Sequence, residues 1–184
     1  MNGGGQALAR RRTIVVCLLL ALVILGFLPL LVTTWDRHLA SVALGSFRWA
    51  GLVPIGLGGL LGIWAALLLI TRGGGTPAPW DPPQRLVLAG PYQYVRNPIM
   101  LGAFGILFGE ALLGQSVAIL LYLGLVAGVV CWYVVAREEK ELAVRFGETY
   151  LVYKARVPRW VPRWRRRGKR DNASCREITD VERT

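Results

Sequence analysis

Two polar stretches of this chain hold the residue types that could do chemistry. The first is Gly90-Pro91-Tyr92-Gln93-Tyr94-Val95-Arg96-Asn97-Pro98-Ile99-Met100-Leu101-Gly102. Tyr92 and Tyr94 offer ring faces and hydroxyls, Arg96 a permanent cation, and Asn97 an amide that both donates and accepts. Pro98 then opens an apolar run, and the start of a helix favours anions. The second stretch, about 35 residues later, is Glu138-Glu139, followed by Phe146-Gly147, Tyr150, Tyr153 and Val157-Pro158. If the chain brings the two together, they suit a zwitterionic ligand with an aromatic base. Arg96 or an amide N–H would take its carboxylate, tyrosine its base, and glutamate its ribose or amine. Neighbours on a helix point about 100° apart, so only one of Glu138 and Glu139 can face a bundle interior. The plainer alternative is a solvated helix start in which Arg137 pairs with Glu141 at i,i+4.

The elements that must position these stretches are apolar. The 184 residues are 54% hydrophobic, more than a water-soluble domain of this size carries, and the net charge of +11 is mostly arginine. Basic and apolar together indicate a membrane protein with a positive cytoplasmic side, in preference to a nucleic-acid binder. Cys17, Cys131 and Cys175 have no metal-ligand spacing, so no metal site is expected. The single histidine, His38, stands near Asp36 in a short loop and is expected to be solvated there.

Residues 1–12 form a Gly-rich basic lead, and residues 13–162 one membrane domain with spans at about 13–33, 49–70, 98–114 and 117–136. Each run approaches the length needed to cross a hydrocarbon core of about 30 Å. The first ends without a cleavage-type small-residue site, so it is retained, with Pro29 a candidate kink. Gly56, Gly59 and Gly62 recur every three residues in the second and are expected to form a small-residue ridge for close helix packing. The segment 71–97, with Gly73-Gly74-Gly75 and Pro77, Pro79, Pro82 and Pro83, is expected to be a surface loop across the bundle. The Gly114-Gln115-Ser116 turn folds the last two spans into a hairpin, which brings the polar stretches to one end.

After that hairpin, Leu142, Phe146, Tyr150, Tyr153 and Val157 mark one apolar face of a cytoplasmic amphipathic helix that Gly147 interrupts. The tail 163–184 is expected to be disordered. Its basic part, seven Arg or Lys between Arg159 and Arg170 interleaved with Trp160 and Trp164, suits anionic lipid at a membrane surface better than nucleic acid. The positive-inside bias puts both termini in the cytoplasm. Glu110, inside the third span, is a functional candidate because ionisable groups are costly there.

The first stretch resembles the Gly-Pro-Tyr…Arg-His-Pro…Tyr-x-Gly motif of the isoprenylcysteine carboxyl methyltransferases and the related phospholipid methyltransferases. Glu138-Glu139-x-x-Leu142-x-x-x-Phe146-Gly147-x-x-Tyr150-x-x-Tyr153-x-x-x-Val157-Pro158 resembles the family's second signature, so the likeness covers about residues 84–162. It implies an all-α integral membrane methyltransferase that uses S-adenosylmethionine on a lipophilic or membrane-associated acceptor. The implied cofactor contacts are Tyr92, Asn97, Pro98, Met100, Leu101, Gly102, Glu138 and Glu139, with Gln84 to Val87 alongside. Glu138, Asn97 and Arg96 would stand at the reacting centre, and Glu110, Arg137, Tyr150 and Arg156 are the substrate-side candidates.

Three positions depart from the family pattern. Its histidine is Asn97 here, its tyrosine is Met100, and the arginine one turn before the glutamate pair in the prenylcysteine enzymes is Val134. Arg137 or Arg156 would have to replace that cation. Compact size and charge layout point to a bacterial inner membrane. Two competing readings are an NADPH-dependent membrane reductase of the sterol-reductase type and a non-catalytic scaffold of the same fold.

Overall fold

The computed structural model of the chain describes residues 3–38, 43–78 and 80–161; the expectations for Cys175 and for the tail beyond Val161 lie outside them. Lipid offers the backbone no hydrogen-bond partner, so apolar runs must satisfy their own N–H and C=O groups, which a helix does. Helix α1 (Gly3–Leu22) passes through a wider π-turn (Val23–Phe27) into α2 (Leu28–Val32). Helix α3 spans Leu52–Arg72, α4 Pro98–Gly114 and α5 Val117–Tyr133; a second π-turn (Val134–Glu138) leads into α6 (Glu139–Arg156). Three helical stretches, Leu8–Asp36, Gly45–Arg72 and Val117–Arg156, are long and apolar enough to cross a membrane, and α4 is a shorter apolar helix. The chain is thus an all-helical, multi-pass membrane protein, with no strand among the described residues.

Some expectations need correction. The basic lead is helical from Gly3, so Arg10–Arg12 stand on the same helix as the first apolar run. The π-turn ahead of Pro29 accommodates a proline that lacks an N–H and crowds the preceding turn. The ridge of Gly56, Gly59 and Gly62 is out of register: a methyl group added at any of the three would meet nothing within 4 Å. The contact with α4 runs through Gly58 of α3 and through Gly51 in the turn before it, and Gly62 joins it by its backbone, whose N and Cα would lie 3.0 and 3.2 Å from a methyl on Gly102. A methyl on Gly58 would stand 2.5 Å from Gly102 O, one on Gly102 2.5 Å from Gly58 O, and Gly109 closes on Gly51 in the same way. Seven residues are two turns, so Gly51 and Gly58 lie on one face.

The hairpin forms where the Gly-Gln-Ser turn requires it. Gln115 takes the left-handed conformation (φ 53°), and Ser116 Oγ caps α5 by accepting from Ile119 N at 3.0 Å. Asp36 Oδ1 accepts from Ala118 N at 3.0 Å, and Leu44 N donates to Gln115 Oε1 at 3.3 Å, so both loops meet at this end of the bundle. At the other end Arg10 Nη2 donates to Gly74 O at 2.8 Å. Parts of the segment 73–97 are folded into the protein there, while Pro77, Trp80, Gln84, Arg85, Gln93 and Tyr94 stay on its surface. Thr76 N donates to Asp81 O and Gln84 N to Gly73 O, both at 2.8 Å, and Thr76, Ala78 and Val87 are buried.

Candidate functional site

The first polar stretch is a 3-10 turn (Gly90–Gln93) that needs its glycine, because Gly90 sits at φ +57°. The turn drives Tyr92 down onto α3, where it packs with Ala65 and Val87 and its hydroxyl donates to Ala65 O at 3.4 Å. Helix α6 returns over the turn: Tyr153 OH donates to Tyr92 O at 2.8 Å, and Arg96 N to Pro158 O at 3.0 Å. Burial, followed by the Glu138 charge, pushes the Tyr92 hydroxyl up; burial also raises Tyr153, so both remain donors. Asn97 precedes Pro98 at the start of α4, and its side chain makes no capping bond there.

The apolar part of α5 gives way to charge at Arg137, and the π-turn Val134–Glu138 lies at that boundary. A π-turn adds one residue to a helical turn and re-aims the side chains beyond it. Glu139 is 5% exposed, and three cations converge on it. Arg96 Nη1 lies 2.8 Å from its Oε1, Lys154 Nζ 2.8 Å from its Oε2, and Arg159 binds both oxygens through Nε and Nη2. Burial alone would raise the Glu139 carboxyl, but the hydrogen bonds from Arg159 and Lys154 and the charges of Arg96 and Arg159 lower it to about 2. Glu138 forms no ion pair among the described residues. Burial, then the neighbouring Glu139 and Glu141 charges, push its carboxyl up. The Arg137–Glu141 pair of the plainer alternative is likewise not formed among the described residues, so these glutamates are not a charge-balanced surface helix start.

Between the turn, the folded loop and α6 lies a cavity of about 180 Å³. Tyr92, Arg96, Asn97, Pro98, Met100, Glu138, Glu139 and Tyr150 all line it, as do Arg85 to Val87. The other expected residues lie elsewhere for reasons of helix phase. Gly102 is buried against Gly58, and Leu101 lines an apolar groove on the outer face of the bundle. Glu110 is in the last turn but one of α4, toward the opposite end of that helix. Arg137, Arg156 and Tyr94 are exposed and outside the cavity. Val134 lies in the cavity wall, buried, where the prenylcysteine enzymes would carry a cation.

Arg145 and Lys154 escaped the sequence reading, and Tyr153 and Arg159 were named there without the contacts they make. Arg145 lines the cavity and donates to Pro83 O at 3.1 Å; its i+7 spacing from Glu138 could have revealed it. Lys154 and Arg159 hold Glu139, and Tyr153 holds the Tyr92 backbone. These three depend on the chain folding back over the turn, which no local pattern announces. One further polar atom of the site has no partner among the described residues: Nε of Arg96, a side chain only 10% exposed.

The profile of the phospholipid methyltransferase family matches residues 47–149, from the turn before α3 into α6. No curated protein and no solved structure matches the chain. The matched segment is more than half of the 184 residues and contains the first polar stretch and the second up to Thr149. The chain belongs to the phospholipid methyltransferase family, a family of membrane methyltransferases.

Proposed function

We propose that the chain transfers a methyl group from S-adenosylmethionine to a lipophilic or membrane-associated acceptor carrying a carboxylate, thiol or amine. The observation that carries this reading is the separation of roles within the glutamate pair. Glu139 absorbs three cations, which leaves Glu138, in the cavity wall, as a carboxylate without a counter-ion among the described residues. Such a group suits a cationic donor, and the cavity residues fit the rest of it. Tyr92 offers a ring, the Asn97 amide is not spent on capping, and the buried Nε of Arg96, with no partner among the described residues, adds a cation for an anionic group. Tyr92, Asn97, Pro98, Met100 and Glu138 are the residues we assign to hold the cofactor, with Arg96 at its anionic end and Glu139 positioning Arg96.

When bound, the sulfonium supplies an already activated methyl group for in-line displacement by the acceptor. The protein's task is then mainly alignment and the exclusion of water. Glu138 supplies negative charge near the sulfonium. The folded loop, with Thr76 and Ala78 buried, and Val134 form the inner part of the cavity wall. No side chain has to remove a proton from a carboxylate or thiolate nucleophile, which agrees with a cavity lacking histidine. Both termini are assigned to the cytoplasm from the excess of arginine at the end bearing Arg10 and the cavity, and the chain's compact size together with that layout supports a bacterial inner membrane.

Calorimetry on the detergent-purified full-length protein tests the reading. Saturable binding of S-adenosylmethionine or its demethylated product, weakened at least about tenfold in Glu138→Gln, is the expected result. Absence of binding by the wild type, or binding of NADPH in its place, would overturn it.

A further inference from the structure

Helix α6 ends at Arg156, and the chain then runs through an extended Val157 and Pro158 to Arg159 and Trp160. This strap has two kinds of contact. On one side Lys154 and Arg159 reach Glu139, yet both stay well exposed, at 40% and 37%. Three cations share that one carboxylate, so the place carries two positive charges in excess. Arg159 binds Glu139 through Nε and Nη2, and its Nη1 has no acceptor among the described residues. On the other side the Trp160 ring packs against Phe104 of α4, centroids 5.6 Å apart.

Phe104 also borders the outer groove. Leu57 and Leu61 of α3, Leu101 and Phe108 of α4 and Leu123 of α5 complete its apolar wall, around about 470 Å³. From Leu101 to Phe108 the groove follows α4 for about 10 Å. Among the described residues it shares no lining residue with the cavity. Cationic groups, an interfacial tryptophan and an apolar groove therefore follow one another without a break. That is the order of parts of a phospholipid.

We propose that the strap and the groove form one binding site for an anionic phospholipid of the surrounding bilayer, distinct from the cavity. Lys154 and Arg159 take its phosphate, Trp160 lies at the level of the ester groups, and one acyl chain fills the groove. The occupant is anionic because a zwitterionic headgroup would bring its own cation to a place already in cationic excess. The lipid is a resident ligand and not the methyl acceptor, so the inference does not depend on methyl transfer.

Native mass spectrometry of the detergent-purified full-length protein, with phosphatidylglycerol and phosphatidylcholine of identical chains, reads the occupancy directly. The wild type is expected to retain one phosphatidylglycerol at a concentration about tenfold lower than phosphatidylcholine. Lys154→Gln with Arg159→Gln removes that preference. Leu123→Trp, which fills the groove, lowers retention of both lipids. Replacing Arg163, Arg165, Arg166 and Arg167 by glutamine leaves the preference in place, because the site needs none of them. Equal retention of the two lipids by the wild type would overturn the proposal. So would a preference lost in the tail variant and kept in the strap variant. The wild-type comparison and the tail variant decide the matter even if the strap variant does not fold.

Discussion

Arg96 Nη1 and Glu139 Oε1 lie 2.8 Å apart across 43 positions of sequence, joining the polar turn ahead of α4 to the first residue of α6. Both side chains are nearly buried, 10% and 5% exposed. Removing one member of a buried pair strands the other's charge, which costs more than the pair contributes. The pair thus works as a positioning device: it fixes the wall on which Glu138 stands.

Glu139→Gln is expected to destabilise the protein by about 3 kcal/mol, because Arg96 would keep a buried, uncompensated charge. Arg159→Gln should cost under about 1 kcal/mol, since its guanidinium is 37% exposed and Arg96 and Lys154 still neutralise Glu139. Thermal unfolding in detergent would rank them, and equal losses would contradict the division. The pH dependence has a definite sign. The folded Glu139 carboxyl lies at about 2, below its ordinary 4.5. Its contribution is therefore complete above pH 4.5 and is lost as pH falls from there toward about 2. Glu139→Gln should remove that part of the acid transition.

Much of this architecture is legible in the sequence because membrane spans announce themselves. Long apolar runs must be helical in lipid, and a three-residue turn between two of them leaves only a hairpin. The meeting of Tyr92–Pro98 with Glu138–Glu139 is a consequence of that hairpin. What was not legible is rotational phase. Leu57, Leu60, Ile63 and Leu67 leave α3 apolar on its exposed faces, so nothing in the sequence marks which glycines turn toward α4. Leu101 and Gly102 fall outside the cavity for the same reason, on an apolar helix whose sides look alike. The roles of Glu138 and Glu139 depend on a π-turn at Val134–Glu138, which has no sequence signature. The clasp of Lys154 and Arg159 on Glu139 is a non-local return of the chain.

The glycine register gives a sharp contrast. Gly102→Ala would set a methyl 2.5 Å from Gly58 O, a backbone atom that cannot swing aside, and should cost about 2 kcal/mol or more as α3 and α4 are pushed apart. Gly56→Ala meets nothing within 4 Å and should be neutral or stabilise α3 by up to about 1 kcal/mol. Unfolding of the two variants in one detergent checks this. The reverse order would restore the face formed by Gly56, Gly59 and Gly62.

Tyr153→Phe keeps the ring under the turn and deletes only the hydroxyl that donates to Tyr92 O at 2.8 Å. That carbonyl is buried, so losing its partner should cost about 1–2 kcal/mol. Because Tyr92 lines the cavity, ligand affinity should weaken along with stability. A variant that loses stability with unchanged affinity would show that the bond holds the fold without tuning the site.

Glu138 supports the last prediction, because its chemistry depends on charge. Burial and two neighbouring carboxylates raise its carboxyl above the ordinary 4.5, so it takes up a proton at a higher pH than a solvated glutamate. If the carboxylate holds a cationic donor, affinity is full at high pH and falls as Glu138 is protonated. The acid limb should then lie above pH 4.5, well separated from the transition of Glu139 at about 2. Titrating S-adenosylmethionine affinity against pH locates the limb. In Glu138→Gln the affinity should be low and flat with pH, whereas Glu138→Asp should keep a limb with reduced affinity. A limb that survives in Glu138→Gln would assign the titrating group elsewhere in the cavity. Glu141, which also lines it without an ion pair among the described residues, would then be the next carboxylate to replace.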